Sequence, residues 1–144
     1  MSLHQAYDPN NVFAKIITGD MPAVKVDEND DVIAFMDIFP QSEGHCLVIP
    51  KNAQATNFFD IPPDELQALI ANVQRIAKGV EKALQPDGVR IVQFNGSEAG
   101  QTVFHIHFHI IPIYAGKRLG SHGGGKPVET NVLQPFADRI AAAL

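Results

Sequence analysis

The chain has 144 residues, of which 45% are apolar and 19% charged, and its formal charge is −5. That length suits one compact domain with a substantial core, and the composition excludes a disordered chain, a collagen-like fibre and a coiled coil. Sixteen acidic residues against eleven basic ones is the reverse of the balance in a phosphate-backbone binder, so nucleic acid is not an expected partner.

Met1–Asp8 has neither a basic start nor an apolar run, and no stretch approaches the eighteen or so apolar residues of a membrane span. A soluble cytoplasmic domain is therefore the expectation. Val12–Thr18 carries apolar residues at helical spacing and is stopped by Gly19-Asp20-Met21-Pro22. Val24–Glu28, Val32–Asp37 and His45–Ile49 follow as short strands, separated by turns too short for anything but antiparallel pairing. Pro62-Pro63-Asp64-Glu65 opens a long amphipathic helix, with Leu66, Leu69, Ile70, Val73, Ile76, Val80 and Leu84 on one side. Pro86-Asp87-Gly88 ends it. Val89–Phe94 and Val103–Ile111 read as two more strands. Beyond Pro112, Gly116, Gly120 and Gly123–Gly125 alternate with Lys117, Arg118 and Lys126, which predicts a mobile basic loop. A last helix over Leu133–Leu144 presents Leu133, Phe136, Ile140 and Leu144, a face that needs a partner on the domain or on a second subunit. The sum is an α+β fold: a five-stranded antiparallel sheet, one long helix packed on it, and short N- and C-terminal helices. One domain over residues 1–144 is expected, with its core at about 12–114 and a C-terminal extension over 115–144.

The most informative segment is Val103-Phe-His-Ile-His-Phe-His-Ile-Ile111. On a strand, Phe104, Ile106, Phe108 and Ile110 share one face, and His105, His107 and His109 share the other. Three readings compete. Idle buried imidazoles are plausible singly but poor for three in register. A metal site is limited by spacing: alternate residues lie about 6.6–6.8 Å apart, so one zinc, holding nitrogens at about 2.0–2.1 Å, takes at most a neighbouring pair. The third reading is an anion site in which one neutral imidazole is a nucleophile. The preceding Asn95–Thr102 loop fits it, because Gly96, Gly100, Gln101 and Thr102 offer backbone N–H groups and polar tips without bulk. No Gly-Lys-Ser/Thr follows, so this is not a Walker loop.

The run Ala99-Gly-Gln-Thr-Val-Phe-His-Ile-His-Phe-His-Ile-Ile-Pro112 resembles the signature of the histidine-triad (HIT) superfamily. Val12–Ile17, Ala34–Ile38 and Gly44–Lys51 extend the resemblance to about residues 12–114. Asp37-Ile38 and the compact length are similar to the Hint-like branch, which hydrolyses nucleoside phosphoramidates and binds purine nucleotides such as AMP. The Fhit-like dinucleoside-polyphosphate hydrolases are the alternative. So is a nucleotide-binding regulatory protein whose turnover is incidental. A third histidine, where uridylyltransferases carry glutamine, separates the chain from that branch. The resemblance implies that His107 attacks the α-phosphorus to form a nucleotidyl-histidine. It further implies that His105 orients His107 through its carbonyl, that His109 and His45 contact the phosphate, and that Thr102 reaches phosphate or leaving group. Asn95 and backbone N–H groups near Gly100, Gln101 and Val103 would hold phosphate oxygens. Asp37 would accept ribose hydroxyls, and Phe13, Ile16, Phe35 and Ile38 would wall the base. It implies a homodimer, and neither a cofactor nor a catalytic metal.

Three departures from the family pattern stand out. Asn52-Ala53-Gln54 replaces a histidine common after Pro-Lys. Asn10-Asn11 and Ala14 stand where some bacterial relatives have paired zinc cysteines, so no structural zinc is expected. The tail after Tyr114 is long, and such tails shape the leaving-group pocket in this family. Cys46, opposite in face to His45, reads as a buried core thiol. His4 and His122 read as incidental, and Lys117, Arg118 and Lys126 as a solvated loop.

Overall fold

The computed structural model describes residues 2–123 and 125–144. Gly124, within the glycine run read as a loop, and Met1 lie outside them. A single 3-10 turn at Ser2–His4 precedes α1 (Val12–Thr18). Asn11 caps this helix by accepting the Ala14 N–H at 2.9 Å, and the Gly19 N–H closes it on the Ile16 carbonyl. β1 (Lys25–Glu28), β2 (Val32–Met36) and β3 (Cys46–Pro50) follow, then α2 (Pro63–Leu84), β4 (Gly88–Val92), β5 (Phe108–Ile113) and α3 (Thr130–Ala142). The five strands form one antiparallel sheet in the order β1-β2-β3-β5-β4.

Strand alternation sorts the core into two layers. Val32, Ala34, Met36, Cys46 and Val48 face Leu69, Val73, Ile76 and Val80 of α2 and Leu133, Ala137 and Ile140 of α3. Ile33, Phe35, Leu47 and Ile49 face the other way, onto Phe13 and Ile16 of α1. The apolar face of the C-terminal helix thus finds its partner within the domain. At Gly79 of α2 the backbone comes close to the C-terminal end of the chain: an added Cβ would lie 2.5 Å from Leu144 Cδ2 and 3.6 Å from the Ile140 carbonyl of α3. No helix among the described residues is long and apolar enough to cross a membrane.

Two expectations need correction. The last strand begins at Phe108, not Val103, and runs through Pro112 to Ile113. Pairing with β3 covers only Phe108, His109 and Ile110. Upstream of it, the Ile106 N–H turns to the Ala55 carbonyl at 2.9 Å, and residues 103–107 leave the ladder. Ile106 still enters the core, but Phe104 is half-buried and joins neither layer. The segment after Tyr114 is also no free loop. Gly120 donates its N–H to the Gln41 carbonyl at 2.8 Å and accepts the Gln41 side chain at 3.0 Å, while the Val128 N–H reaches the Ile38 carbonyl at 2.8 Å. This segment is a strap that brings His122 and Gly123 to the α1 face of the sheet, while Val128 packs against the α2–α3 layer.

Candidate active site

On the α1 face a cleft of about 390 Å³ opens between α1, β2, the 102–109 segment and the strap. That size lies within the range of small-molecule sites. Val12, Phe13, Ile16, Met21, Phe35 and Ile38 make its apolar part; Asp37, Thr102, His107, His109 and His122 make its polar part, with Val103 beside them. Phe13 joins the two, its ring edge-on to Phe35 at 5.4 Å and to His107 at 4.9 Å.

The tautomers follow from the partners of fixed role, the His105 and Pro50 carbonyls, which only accept, and the Gln41 N–H, which only donates. The His107 Nδ1–H donates to the His105 carbonyl at 2.7 Å, which leaves the Nε2 lone pair free. No described residue hydrogen-bonds that Nε2. The His105 Nε2–H donates to the Pro50 carbonyl at 3.0 Å, so its Nδ1 accepts the Tyr7 hydroxyl at 2.7 Å. His45 Nδ1 accepts the Gln41 N–H at 2.9 Å, so its proton sits on Nε2, 2.9 Å from His109 Nδ1 and 3.3 Å from Asp37 Oδ2. His109, having accepted at Nδ1, carries its proton on Nε2. That atom is buried and has no partner among the described residues. A buried unpaired donor carries a desolvation penalty, and such groups concentrate where a ligand completes them.

Burial keeps these rings neutral. It pushes His105 and His107 down to about 4, against the opposing pull of their backbone hydrogen bonds. It pushes His109 down to about 2, with the neighbouring imidazoles of His107, His45 and His122 adding to the effect. His45 is lowered too, by burial first, with Asp37 opposing. The rings therefore act as neutral donors and acceptors at neutral pH.

Asp37 Oδ2, His45 Nε2 and His109 Nδ1 lie within 4.8 Å of one another, close enough to suggest a metal ion. The donor set does not suit one. An ion on His45 Nε2 would displace the proton there while the Gln41 N–H still points at Nδ1, demanding an imidazolate.

Some residues chosen from sequence stand elsewhere. Asn95 and Gln101 do not line the cleft. Asn95 Oδ1 accepts the Phe58 N–H and the Gln93 side chain, at 2.9 and 2.8 Å. Gln101 is buried, accepts the Gly96 N–H at 2.8 Å, and donates to the carbonyls of Thr56 and Val103 at 2.6 and 3.1 Å. Both brace the loop. Gly100 turns at φ +110°, where an added Cβ would press on the Phe94 ring at 3.3 Å. The backbone N–H groups of Thr102 and Val103 donate to no described residue, so two donors remain free beside the histidines.

Tyr7 and His122 were missed. The His122 ring lies 5.2 Å from His109 and 4.8 Å from Phe94, and its Nε2–H donates to the Gly100 carbonyl at 2.9 Å. Reading it as incidental was wrong. Neither residue lies on a periodic element, so only its residue type was available as a signal.

A row of neutral, tautomer-locked imidazoles beside an apolar cleft, on this five-stranded sheet, defines a histidine-triad protein. The HIT domain family matches residues 18–116, and the chain belongs to that family, whose members are nucleotide-binding hydrolases and transferases. An uncharacterised HIT-like protein of Methanocaldococcus jannaschii is 48% identical over 105 residues, 73% of this chain and 80% of its own. A crystal structure of a Hit-like protein from Bartonella henselae, described as involved in cell-cycle regulation and holding an unknown ligand, superposes with a TM-score of 0.91. It is 49% identical and covers 97% of this chain and 100% of its own. A hypothetical histidine triad nucleotide-binding protein from Sulfolobus tokodaii has a TM-score of 0.80 and 31% identity, with coverage of 91% and 89%.

Proposed function

We propose that this protein hydrolyses purine nucleoside 5′-phosphoramidates, or related adenylates, at the α-phosphorus through a nucleotidyl-His107 intermediate. One observation carries the reading: His107 holds its proton on Nδ1 against the His105 carbonyl, beside the unpaired N–H of His109. The base lies in the apolar part against Phe13, Ile16, Phe35 and Ile38, and the ribose hydroxyls turn to Asp37. The free N–H groups of Thr102 and Val103 hold non-bridging oxygens as charge grows on them.

His107 Nε2 attacks phosphorus with its lone pair, and the P–N bond to the leaving group breaks. The His109 Nε2–H hydrogen-bonds the departing nitrogen, which takes a proton from solvent and leaves as an amine. Water then attacks phosphorus and releases a proton to solvent, and the P–Nε2 bond returns its electrons to His107. The sum is phosphoramidate plus water going to amine plus nucleoside monophosphate, with no cofactor. Stereochemistry at phosphorus tests the scheme. A substrate chiral at the α-phosphorus, hydrolysed in isotopically labelled water, gives net retention if two displacements occur in series. Net inversion would mean that water attacks directly and would remove the intermediate.

The sheet edge supports a reading of the assembled form. β4 is an edge strand with Arg90 and Ile91 exposed, and an open edge of this kind invites pairing with a second copy. The protein is then a homodimer. Sedimentation equilibrium checks this directly, and a monomer at micromolar concentration would contradict it.

A further inference from the structure

Four rings run in sequence through the cleft. Phe13 packs on His107 at 4.9 Å, His107 lies 5.0 Å from His109, and His109 lies 5.2 Å from His122. A nucleotide with its base against Phe13 and its phosphorus over His107 meets the strap beyond His109. His122 is fixed there by its Nε2–H on the Gly100 carbonyl and by the Phe94 ring beneath it. A carbonyl only accepts, so Nε2 keeps a proton, and Nδ1 is the acceptor of that tautomer. No described residue donates to that Nδ1.

We infer that His122 is a specificity-determining residue that reads the leaving group: its Nδ1 accepts an N–H or O–H from the departing group and so favours amine leaving groups. This rests on the hydrolase reading and deepens it. Polyphosphate leaving groups bring only acceptor oxygens to the same nitrogen and gain nothing there. His122 transfers no proton in the reaction; the leaving amine takes its proton from solvent, as above. Gln41 ties this feature to the triad, because the residue that holds Gly120 of the strap also donates the N–H that sets the His45 tautomer. The strap and the proton on His109 Nε2 are thereby anchored at one point.

The test compares two adenosine 5′-phosphoryl substrates, one joined to a primary alkylamine and one to 4-nitrophenol, whose leaving group carries no donor. kcat/KM reports the first displacement, in which the leaving group departs. In His122→Phe, which keeps a ring on Phe94 and His109, the ratio of kcat/KM for amine over nitrophenyl substrate falls about 3- to 10-fold, the range of one neutral hydrogen bond. His122→Ala lowers the ratio by the same factor, even if packing losses depress both rates. A ratio unchanged in both variants overturns the inference and reduces His122 to packing. Wild-type protein that hydrolyses neither substrate would defeat the hydrolase reading and this inference together, an outcome plainly different from turnover without discrimination.

Discussion

The two faces of the sheet are built by one rule and end differently. On one face Val32, Ala34, Met36, Cys46 and Val48 are sealed beneath the 22-residue α2 and the 13-residue α3. On the other, Ile33, Phe35, Leu47 and Ile49 are covered by the seven-residue α1, about 10 Å long, and by Ala23 and Val103 beside it. So short a helix cannot cover the sheet, and the uncovered part is the cleft. His109 stands opposite Leu47 in the β3–β5 register, which puts it on this thinly covered face while Ile110, opposite Cys46, goes to the sealed one. The alternation that completes a core on one side thus leaves a row of dry imidazoles on the other. The difference lies in the length of the covering helix.

Substitutions on the two faces should separate chemistry from stability. The largest effect is expected for His107→Asn, which lowers kcat by about 10⁴-fold or more while the unfolding midpoint stays within about 2 °C of wild type. Steady-state hydrolysis and a thermal melt check this, and a variant retaining wild-type turnover breaks the assignment. Ile76→Ala, on the sealed face, destabilises by about 2–5 kcal/mol in urea unfolding, with KM changed less than about twofold. Ile38→Ala does the reverse. The side chain lies in the cleft and is 43% exposed, so stability moves by only about 0.5 kcal/mol. KM for the nucleotide meanwhile rises by about tenfold as apolar contact with the base is lost. The most gradual effect is acid destabilisation. The folded-state values of His105 and His107 are about 4 and that of His109 about 2, all below the unfolded value of 6.5, so the unfolded chain binds more protons as pH falls. The contribution of these rings is complete above pH 6.5 and is lost progressively from there towards pH 4 and below. Chemical unfolding across that range checks the sign, and a stability that rises on acidification would contradict it.

Where a segment is periodic, its place in the fold is legible in the sequence. Val12–Thr18 is the helix expected, residue for residue, and the long helix and the β1–β3 meander fall within one or two residues of their expected ends. The site is legible to the extent that it lies on periodic elements or within two residues of their ends: Phe13, Ile16, Phe35, Asp37, Ile38, His107 and His109 all line the cleft. Alternation alone overextended the last strand, because a strand needs a neighbour as well as a pattern, and β3 pairs with β5 only as far as Phe108. Asn95 and Gln101 read as ligand contacts because a polar tip in a glycine loop looks the same whether it faces a phosphate or the loop's own backbone. His122 and Tyr7 reach the triad from irregular chain, 13 residues beyond His109 and 98 residues before His105, and no local pattern encodes such a contact.

The central claim is that His107 becomes covalently bonded to a nucleotide. Intact-mass analysis after rapid quench of the protein mixed with an adenosine phosphoramidate, followed by peptide mapping, tests it most directly. The account predicts a gain of one adenylyl group, located on His107 and absent in His107→Asn. Substrate turned over at full rate with no adduct at any quench time, or with the adduct on another histidine, would contradict it.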